Sequence, residues 1–253
     1  MLLTLYRTEG IILRVRPFGE ADRILTILTR TEGVIEAVAR GARRPRSRLV
    51  GATLPFTQIQ AMIFRGKSLD NLSQAEIVNT FSAIREDLLR TAYGTYWCEL
   101  AYEFMGQRDP NEEVYLFFLA SLLMLDSTDD PGLLSIYFEL RFLAQLGYRP
   151  ALDCCCGCGK SMAEGGAGSF LTSSGGLLCS SCTQSNASGE VLSAAAVGFM
   201  RMLLVWDLRK LNVLKLPDTA RLEVKNGIRR FAAEQSGKPL KSLDFLRSIE
   251  AHM

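Results

Sequence analysis

Histidine is almost missing from this chain of 253 residues, since the one copy, His252, stands next to the last residue. Its absence from the rest of the sequence excludes a histidine general base, a Ser-His-Asp triad and a histidine-ligated catalytic metal there. The G-x-x-x-x-G-K-[ST] phosphate loop and the G-x-G-x-x-G fingerprint are missing too. We find no catalytic constellation, and we expect a protein that is not an enzyme.

Long hydrophobic runs are also missing. Residues 1–10 hold too short an apolar run for a signal peptide, and no stretch approaches the roughly 18 apolar residues that a membrane span needs. We therefore expect a cytoplasmic protein. In that compartment the seven cysteines favour metal binding or free thiols over disulfides.

The net charge of +2 is small, but it is unevenly distributed. When lysine and arginine are counted against aspartate and glutamate, residues 1–80 carry +5 and residues 81–150 carry −6. Residues 151–189 then carry −1, and residues 190–253 carry +4. A basic front, an acidic middle and a basic tail can offer separate surfaces to an anionic polymer and to a protein partner.

The first 80 residues predict a small β structure. Short apolar runs bounded by turn residues indicate five strands, over residues 11–16, 24–29, 34–39, 56–65 and 69–78. Five short strands in this length favour a closed barrel such as the OB-fold, because closure leaves no exposed sheet edge. Phe18, Phe56 and Phe64 could stack on bases, but a place in the core is the more frequent role for phenylalanine.

Residues 40–48, RGARRPRSR, form a segment that we call the arginine loop. It holds five arginines and no acid, and Gly41 and Pro45 interrupt both helix and strand. A guanidinium binds phosphate through two parallel hydrogen bonds, so the loop suits a nucleic-acid backbone. A solvated loop is the commoner role for an isolated charge run, but the flanking strands favour binding. Our candidate nucleic-acid contacts are Arg14, Arg16, Arg40, Arg43, Arg44, Arg46, Arg48 and Lys67.

After residue 80 the apolar residues follow helical spacing. They predict helices over residues 81–106, 114–125, 130–147, 193–211 and 218–233, with a last short helix through Leu243 and Leu246. Asp130 and Pro131 are a typical helix start, because aspartate caps free amides and proline fits the first turn. We expect a helical domain made of residues 81–150 and 190–253. The cysteine-rich residues 151–189 are inserted in it.

The cysteines of this insertion have the spacing of a metal site. Only one pairing gives two C-x2-C knuckles, Cys155 with Cys158 and Cys179 with Cys182. Four thiolates at this spacing predict a tetrahedral zinc site that leaves no position for a substrate water, so it is structural. Four unligated thiols are the alternative. The surplus Cys154 and Cys156 are either spectators or substitutes for Cys155.

Several segments in order along nearly the whole chain resemble one family. They are residues 19–29 (GEADRILTILT), 39–44 (ARGARR), 54–56 (LPF), 147–150 (GYRP), 175–179 (GGLLC) and 239–246 (PLKSLDFL). On these segments the sequence resembles the RecO family of bacterial recombination-mediator and DNA-repair proteins. The resemblance implies an α+β, multidomain fold, with an N-terminal OB-fold β-barrel in residues 1–80, then an α-helical domain with an inserted four-cysteine zinc finger.

The resemblance also implies a function. It implies binding of single- and double-stranded DNA, annealing of complementary strands and, with RecR, loading of RecA onto strands coated by single-stranded-DNA-binding protein. Its implied partners include the acidic tail of that protein, and its implied place is the cytoplasm at the nucleoid. One rival is a nuclease, which would need clustered carboxylates for metal ions that we do not find. The other is an adaptor without DNA activity whose zinc ribbon binds proteins.

Overall fold

The chain separates into two compact units, residues 1–127 with 241–253 and residues 128–240. The structure is a computed structural model that describes residues 4–162, 166–185 and 189–252. It confirms the predicted fold class, α+β with an N-terminal barrel followed by helices and a cysteine cluster. The predicted domain boundaries at residues 80, 150 and 190 stay a prediction.

The first unit contains a closed five-stranded barrel. Its strands are β1 Leu5–Phe18, β2 Asp22–Thr29, β3 Gly33–Ala39, β4 Gln58–Phe64 and β5 Asp70–Asn79. Their order is β1-β2-β3-β5-β4, and β1 pairs with β4 to close the barrel. The pairs are antiparallel except β3 with β5. With the short helix α1 Leu49–Ala52 between β3 and β4, this five-stranded barrel is the predicted OB-fold.

Alternation along the strands places one face of each strand in the barrel core. That core combines large β-branched and leucine side chains with alanines, which lets side chains from opposite strands fill a narrow interior. Its members include Ile12, Leu25, Ile27, Ile35, Ala37, Ile59, Ala61, Ile63 and Leu72. On β4 and β5 the opposite face carries exposed polar residues, among them Gln60, Gln74 and Glu76.

Strand β1 is longer than the predicted strand over residues 11–16. Its first half pairs with β4 and its second half with β2, and the change occurs around Gly10 and Ile11. A Cβ atom at Gly10 would lie 2.7 Å from Ile27 Cγ2, so only glycine allows the strands to approach there. The segment before Gly10 gave no strand signal, because its buried position holds the polar Thr8 while its leucine, Leu5, is exposed.

Helices complete the first unit: α2 Ser82–Glu86, α3 Leu88–Phe104, α4 Glu112–Ser127 and, from the chain's end, α9 Lys241–Glu250. The predicted single helix over residues 81–106 is wrong at Asp87, where extended backbone separates α2 from α3. There the Asp87 side chain accepts from the amide of Arg90 and caps α3. Within the described ranges, no helix combines the length and hydropathy that crossing a membrane requires.

The second unit packs helices against a small sheet. It contains α5 Pro131–Gln145, the strands β6 Ala151–Cys155, β7 Gly168–Leu171, β8 Gly176–Leu178 and β9 Glu190–Leu192, and the helices α6 Ser180–Ser185, α7 Ala194–Leu203 and α8 Asp218–Gln235. The sheet order is β6-β8-β7-β9. The predicted helix over residues 193–211 ends at Leu203, and a 3-10 helix follows over Leu208–Val213. Between α5 and α8, the buried Arg229 and Glu139 pair at 3.6 Å.

Candidate nucleic-acid interface and metal site

The arginine loop is anchored on the turn between β1 and β2. The amide of Gly41 donates to Asp22 Oδ1 at 2.7 Å, and the amide of Arg43 donates to the Ala21 carbonyl at 2.8 Å. Gly41 has a φ of +64°, which a residue with a side chain adopts only with strain. The loop therefore has a defined backbone path, in which Arg44 donates its amide to the Gly41 carbonyl at 3.0 Å.

The guanidinium groups of this loop face solvent. All five arginines, Arg40, Arg43, Arg44, Arg46 and Arg48, are exposed. Arg43 Nη1 approaches the Gly19 carbonyl at 3.4 Å. For the other four, no side-chain hydrogen bond or ion pair occurs with any part of the chain that the structure describes. Their charges are not neutralised by neighbouring carboxylates, so they are available to an anion.

Two further candidates, Arg14 and Arg16, lie on the strand that leads to the same turn. Together with Phe18 they occupy every second position at the end of β1 and share its exposed face. Both have partners: Arg16 pairs with Glu36 at 2.7 Å, and the Arg14 guanidinium lies 5.9 Å from the ring centre of Tyr102. An exposed pair of this kind is weak, so it can exchange for a phosphate.

The structure does not bring Lys67 to this surface. Lys67 is exposed in the turn after β4, whose last residue Phe64 pairs with Leu5 at the start of β1. The arginine loop contacts the turn that follows Phe18, at the other end of β1. No hydrogen bond or ion pair among the described residues joins Lys67 to the loop, and its predicted role in binding stays a prediction.

Phe18 is a residue whose surface position the sequence did not reveal. The ring is 46% exposed, beside the turn on which the arginine loop rests. The interpretation as a core residue is right for Phe56, which is 4% exposed, and wrong for Phe18. Phe64 is half-buried. An exposed aromatic ring next to guanidinium groups is the combination that single-strand binding surfaces use.

The four knuckle cysteines meet in the second unit. Sulfur atoms of Cys155, Cys158, Cys179 and Cys182 all lie within 4.8 Å of one another. The sulfurs of Cys158 and Cys179 are 3.8 Å apart. Tetrahedral coordination with zinc–sulfur bonds of about 2.3 Å places neighbouring sulfurs roughly 3.8 Å apart, so the donor set fits such an ion.

Local backbone geometry explains why these thiols converge. Strands β6 and β8 run parallel, with Cys155 at the end of β6 and Cys179 directly after β8. In the first knuckle, the amide of Gly159 donates to the Cys155 carbonyl at 2.8 Å, and Gly159 adopts a φ of +73°. Helix α6 then begins after Cys179 and carries Cys182 back towards the cluster.

Backbone amides also stabilise thiolate in the cluster. The pKa of Cys155 is lowered to about 6, first because the Cys179 amide donates to its sulfur, at 3.3 Å. The pKa of Cys179 is lowered as well, chiefly by the Cys182 amide. Hydrogen bonding to Cys158 and the other thiols raises the pKa of Cys182 to about 12. These are the electrostatics of a cation-binding group of thiols.

The surplus cysteines lie outside this group. Cys154 and Cys156 are exposed, and Cys156 Sγ lies 3.4 Å from Ser174 Oγ. Cys155, in contrast, is buried with its sulfur among the other three. The structure therefore supports the predicted pairing of knuckles over the substitution of Cys155 by a neighbour.

Comparison with known proteins gives matches along nearly the whole chain. A family model described as Recombination protein O N terminal matches residues 1–81, and one described as Recombination protein O C terminal matches residues 85–244. A DNA repair protein RecO of Symbiobacterium thermophilum is 41% identical over 251 residues, covering 98% of this chain and 99% of the relative.

Two further relatives have the same name. The DNA repair protein RecO of Pelotomaculum thermopropionicum is 35% identical over 244 residues, and that of Listeria monocytogenes is 33% identical over 244 residues. In both comparisons the match covers 96% of this chain and 94% of the relative. The likeness therefore includes the barrel, the helices and the cysteine segment together.

Proposed function

The chain belongs to the RecO family of DNA repair proteins, and from that premise we propose that it binds DNA and anneals complementary strands without being an enzyme. It takes both single- and double-stranded DNA. With RecR, it helps to load RecA onto single strands coated by single-stranded-DNA-binding protein. It acts in the cytoplasm at the nucleoid.

One observation carries this proposal: a loop anchored to an OB-fold barrel exposes five guanidiniums, four of which have no partner among the described residues. Phosphate contacts from arginine give affinity without sequence preference, which is what a general annealing protein needs. Annealing brings two anionic strands together, and the same cations lower the repulsion between them. Arg14 and Arg16 extend this surface along β1 when a phosphate displaces their present partners.

We further propose that Cys155, Cys158, Cys179 and Cys182 hold one zinc ion. The ion has a structural role, because four thiolates fill the tetrahedral shell and leave no position for water. The second unit and the helices of the acidic segment, residues 81–150, then bind protein partners. These partners are RecR and the acidic tail of single-stranded-DNA-binding protein. The basic residues after position 190 suit that tail.

The test of DNA binding is the double charge reversal Arg43→Glu with Arg44→Glu, measured by fluorescence anisotropy with a labelled oligonucleotide over a range of salt. Each phosphate neutralised on a single strand contributes about −0.7 to the slope of log K against log salt. We expect weaker binding to all sequences alike and a slope flatter by roughly one to two units. Annealing should fail together with binding.

The matched control is Arg43→Lys with Arg44→Lys, which keeps both charges and should keep the slope. Both variants should stay folded, because the two side chains are exposed. If the reversed variant binds as tightly as the parent with the same slope, the DNA surface lies elsewhere. If the parent shows no salt-sensitive binding at all, the adaptor hypothesis replaces the proposal.

A further inference from the structure

A polar groove lies on the outside of the barrel. It has a volume of about 600 Å³ and is lined in part by Arg7, Arg48, Gln60, Met62, Gln74 and Glu76. The strand register explains its floor. Arg7 on β1 lies opposite Met62 on β4, Met62 lies opposite Gln74 on β5, and Gln60 lies opposite Glu76. The floor thus spans three neighbouring strands, which are spaced about 4.8 Å apart.

The chemistry of this polar groove is that of neutral amides. Gln60 and Gln74 are exposed, and their side chains make no hydrogen bond within the described ranges. An amide side chain both donates and accepts, as the edges of nucleobases do, and glutamine can pair with adenine through two hydrogen bonds. Met62 adds an apolar, adaptable surface between them. Glu76 disfavours phosphate within the polar groove, so its centre suits an uncharged group.

The polar groove is continuous with the arginine loop. Arg48 is the last residue of the loop and also lines the polar groove, whereas Arg7 lies on its β1 side. A strand whose phosphates follow the loop therefore reaches the polar groove at Arg48. Cations at two places with amides between them match a chain that alternates anionic phosphate with neutral base.

We propose that the polar groove is a base-binding site for the same single strand, in which unstacked nucleobases bind to Gln60, Gln74 and Met62. The inference rests on the proposed DNA binding and adds where the bases go. Bases in a duplex are stacked and paired, and removing one from the stack costs a few kcal/mol, so a site for unstacked bases favours unpaired DNA.

The test is a cycle that combines Gln60→Ala and Gln74→Ala with an abasic oligonucleotide of the same length. All proteins carry Phe18→Ala, because the ring at that position would add its own base dependence. Without the glutamine changes, we expect about tenfold tighter binding of the base-bearing strand than of the abasic one. With them, the ratio should fall close to one, through weaker binding of the base-bearing strand alone.

Gln107→Ala is the matched control, since Gln107 is exposed in the same unit but does not line the polar groove. It should leave the ratio at about ten. Thermal unfolding checks the fold, and the threonine pair Gln60→Thr with Gln74→Thr provides a variant with strong strand preference. An unchanged ratio in the alanine and threonine pairs would overturn the inference. Absence of binding to either oligonucleotide by the unsubstituted protein, with Phe18 present, would instead refute the proposed function.

Discussion

At the scale of single residues, Phe18 combines exposure with a place beside the arginine loop. Stacking of a base on an aromatic side chain is worth about 1–3 kcal/mol by alanine substitution. We therefore expect Phe18→Ala to weaken single-strand binding by roughly 5- to 150-fold at constant salt. Phe18→Tyr keeps the ring and should bind within about twofold of the parent.

Titration with a labelled oligonucleotide measures this effect, and the salt slope separates it from the effect of arginine. Removal of a neutral ring should change the affinity and leave the slope as it is, because no counterion is involved. An equal loss for Phe18→Tyr would contradict stacking. Duplex DNA should respond less, since its bases already stack on each other.

The difference between arginine and phenylalanine shows what sequence can predict at this scale. Five arginines within nine residues are too costly to bury, so their exposure follows from composition alone. The cysteine cluster is predictable from sequence as well, because the spacing of the two C-x2-C pairs indicates a metal site. Phenylalanine occurs both in cores and on surfaces, so its residue type does not predict its exposure. The exposure of Phe18 depends on where β1 ends. Only the folded chain supplies that information.

At the scale of elements, the start of α5 depends on one carboxylate. Asp130 accepts from the amide of Leu133 at 2.9 Å and also pairs with both terminal nitrogens of Arg221 on α8. We expect Asp130→Ala to lower the free energy of unfolding by about 0.5–2 kcal/mol, the usual cost of a lost cap. Asp130→Asn keeps an oxygen acceptor and should lose less.

The same contact has a predictable pH dependence. Partial burial raises the pKa of Asp130, but hydrogen bonds from Arg221 and from the Leu133 amide outweigh it, so the net shift is downwards. A lowered pKa in the folded state stabilises the protein above the ordinary aspartate pKa of about 3.9, and this stabilisation disappears as pH falls through the folded value. The parent should therefore exceed Asp130→Asn in stability at pH 7, and the difference should shrink as pH falls through the folded-state pKa of Asp130.

The cysteine segment is the element that depends most on an added group. Its strands β7, β8 and β9 have four, three and three residues. Strands this short bury little surface, so a bound metal ion is needed to stabilise them. We expect one zinc per chain by metal analysis. A strong chelator should lower the unfolding temperature of the second unit. In the presence of the chelator, Cys158→Ser should lower that temperature little further, because the chelator and the substitution remove the same ion.

Cys154→Ser and Cys156→Ser are the matched controls, since these thiols lie outside the group of four. They should retain one zinc and the parent's unfolding temperature. Full stability of the parent after metal removal, or metal-free protein as purified, would contradict the structural role.

The boundaries of helices and strands are predicted from sequence patterns in some segments and missed in others. The strands β2 and β3 were predicted at nearly their observed bounds, because each is a short apolar run beside the turn at residues 30–33 and is buried over most of its length. The break at Asp87 escaped it, since Leu88 and Leu89 continue the apolar spacing past the break. The small sheet of residues 151–192 escaped it too, because cross-strand pairing and the cysteine cluster, more than local preference, hold such short strands.

At the scale of the whole molecule, the first unit is assembled from both ends of the chain. Helix α9 returns to pack on α3, where Glu99 accepts from the Ser242 amide at 2.8 Å and Tyr93 donates to Glu250 at 2.7 Å. Nothing in the local sequence of α9 specifies this partner. Its apolar stripe predicts only that it packs against something.

Deletion of residues 241–253 tests how much the first unit depends on this return. Leu243 and Leu246 are 2% and 0% exposed, and burial of a leucine stabilises by about 1.5–3 kcal/mol. Their loss, with Glu99 left without the amide of Ser242, should lower the free energy of unfolding by roughly 3–6 kcal/mol. That is a large fraction of the roughly 5–15 kcal/mol that a domain typically has.

The truncated protein should therefore unfold at a lower temperature. It should lose oligonucleotide binding at that same temperature, because the barrel belongs to the weakened unit. Zinc content should stay at one per chain, since all four cysteines lie in the second unit. Deletion of residues 251–253 alone is the control, because it leaves α9 intact and should change neither property. If the longer deletion left the unfolding temperature and the binding at the parent's values, the contacts between α3 and α9 would not stabilise the barrel.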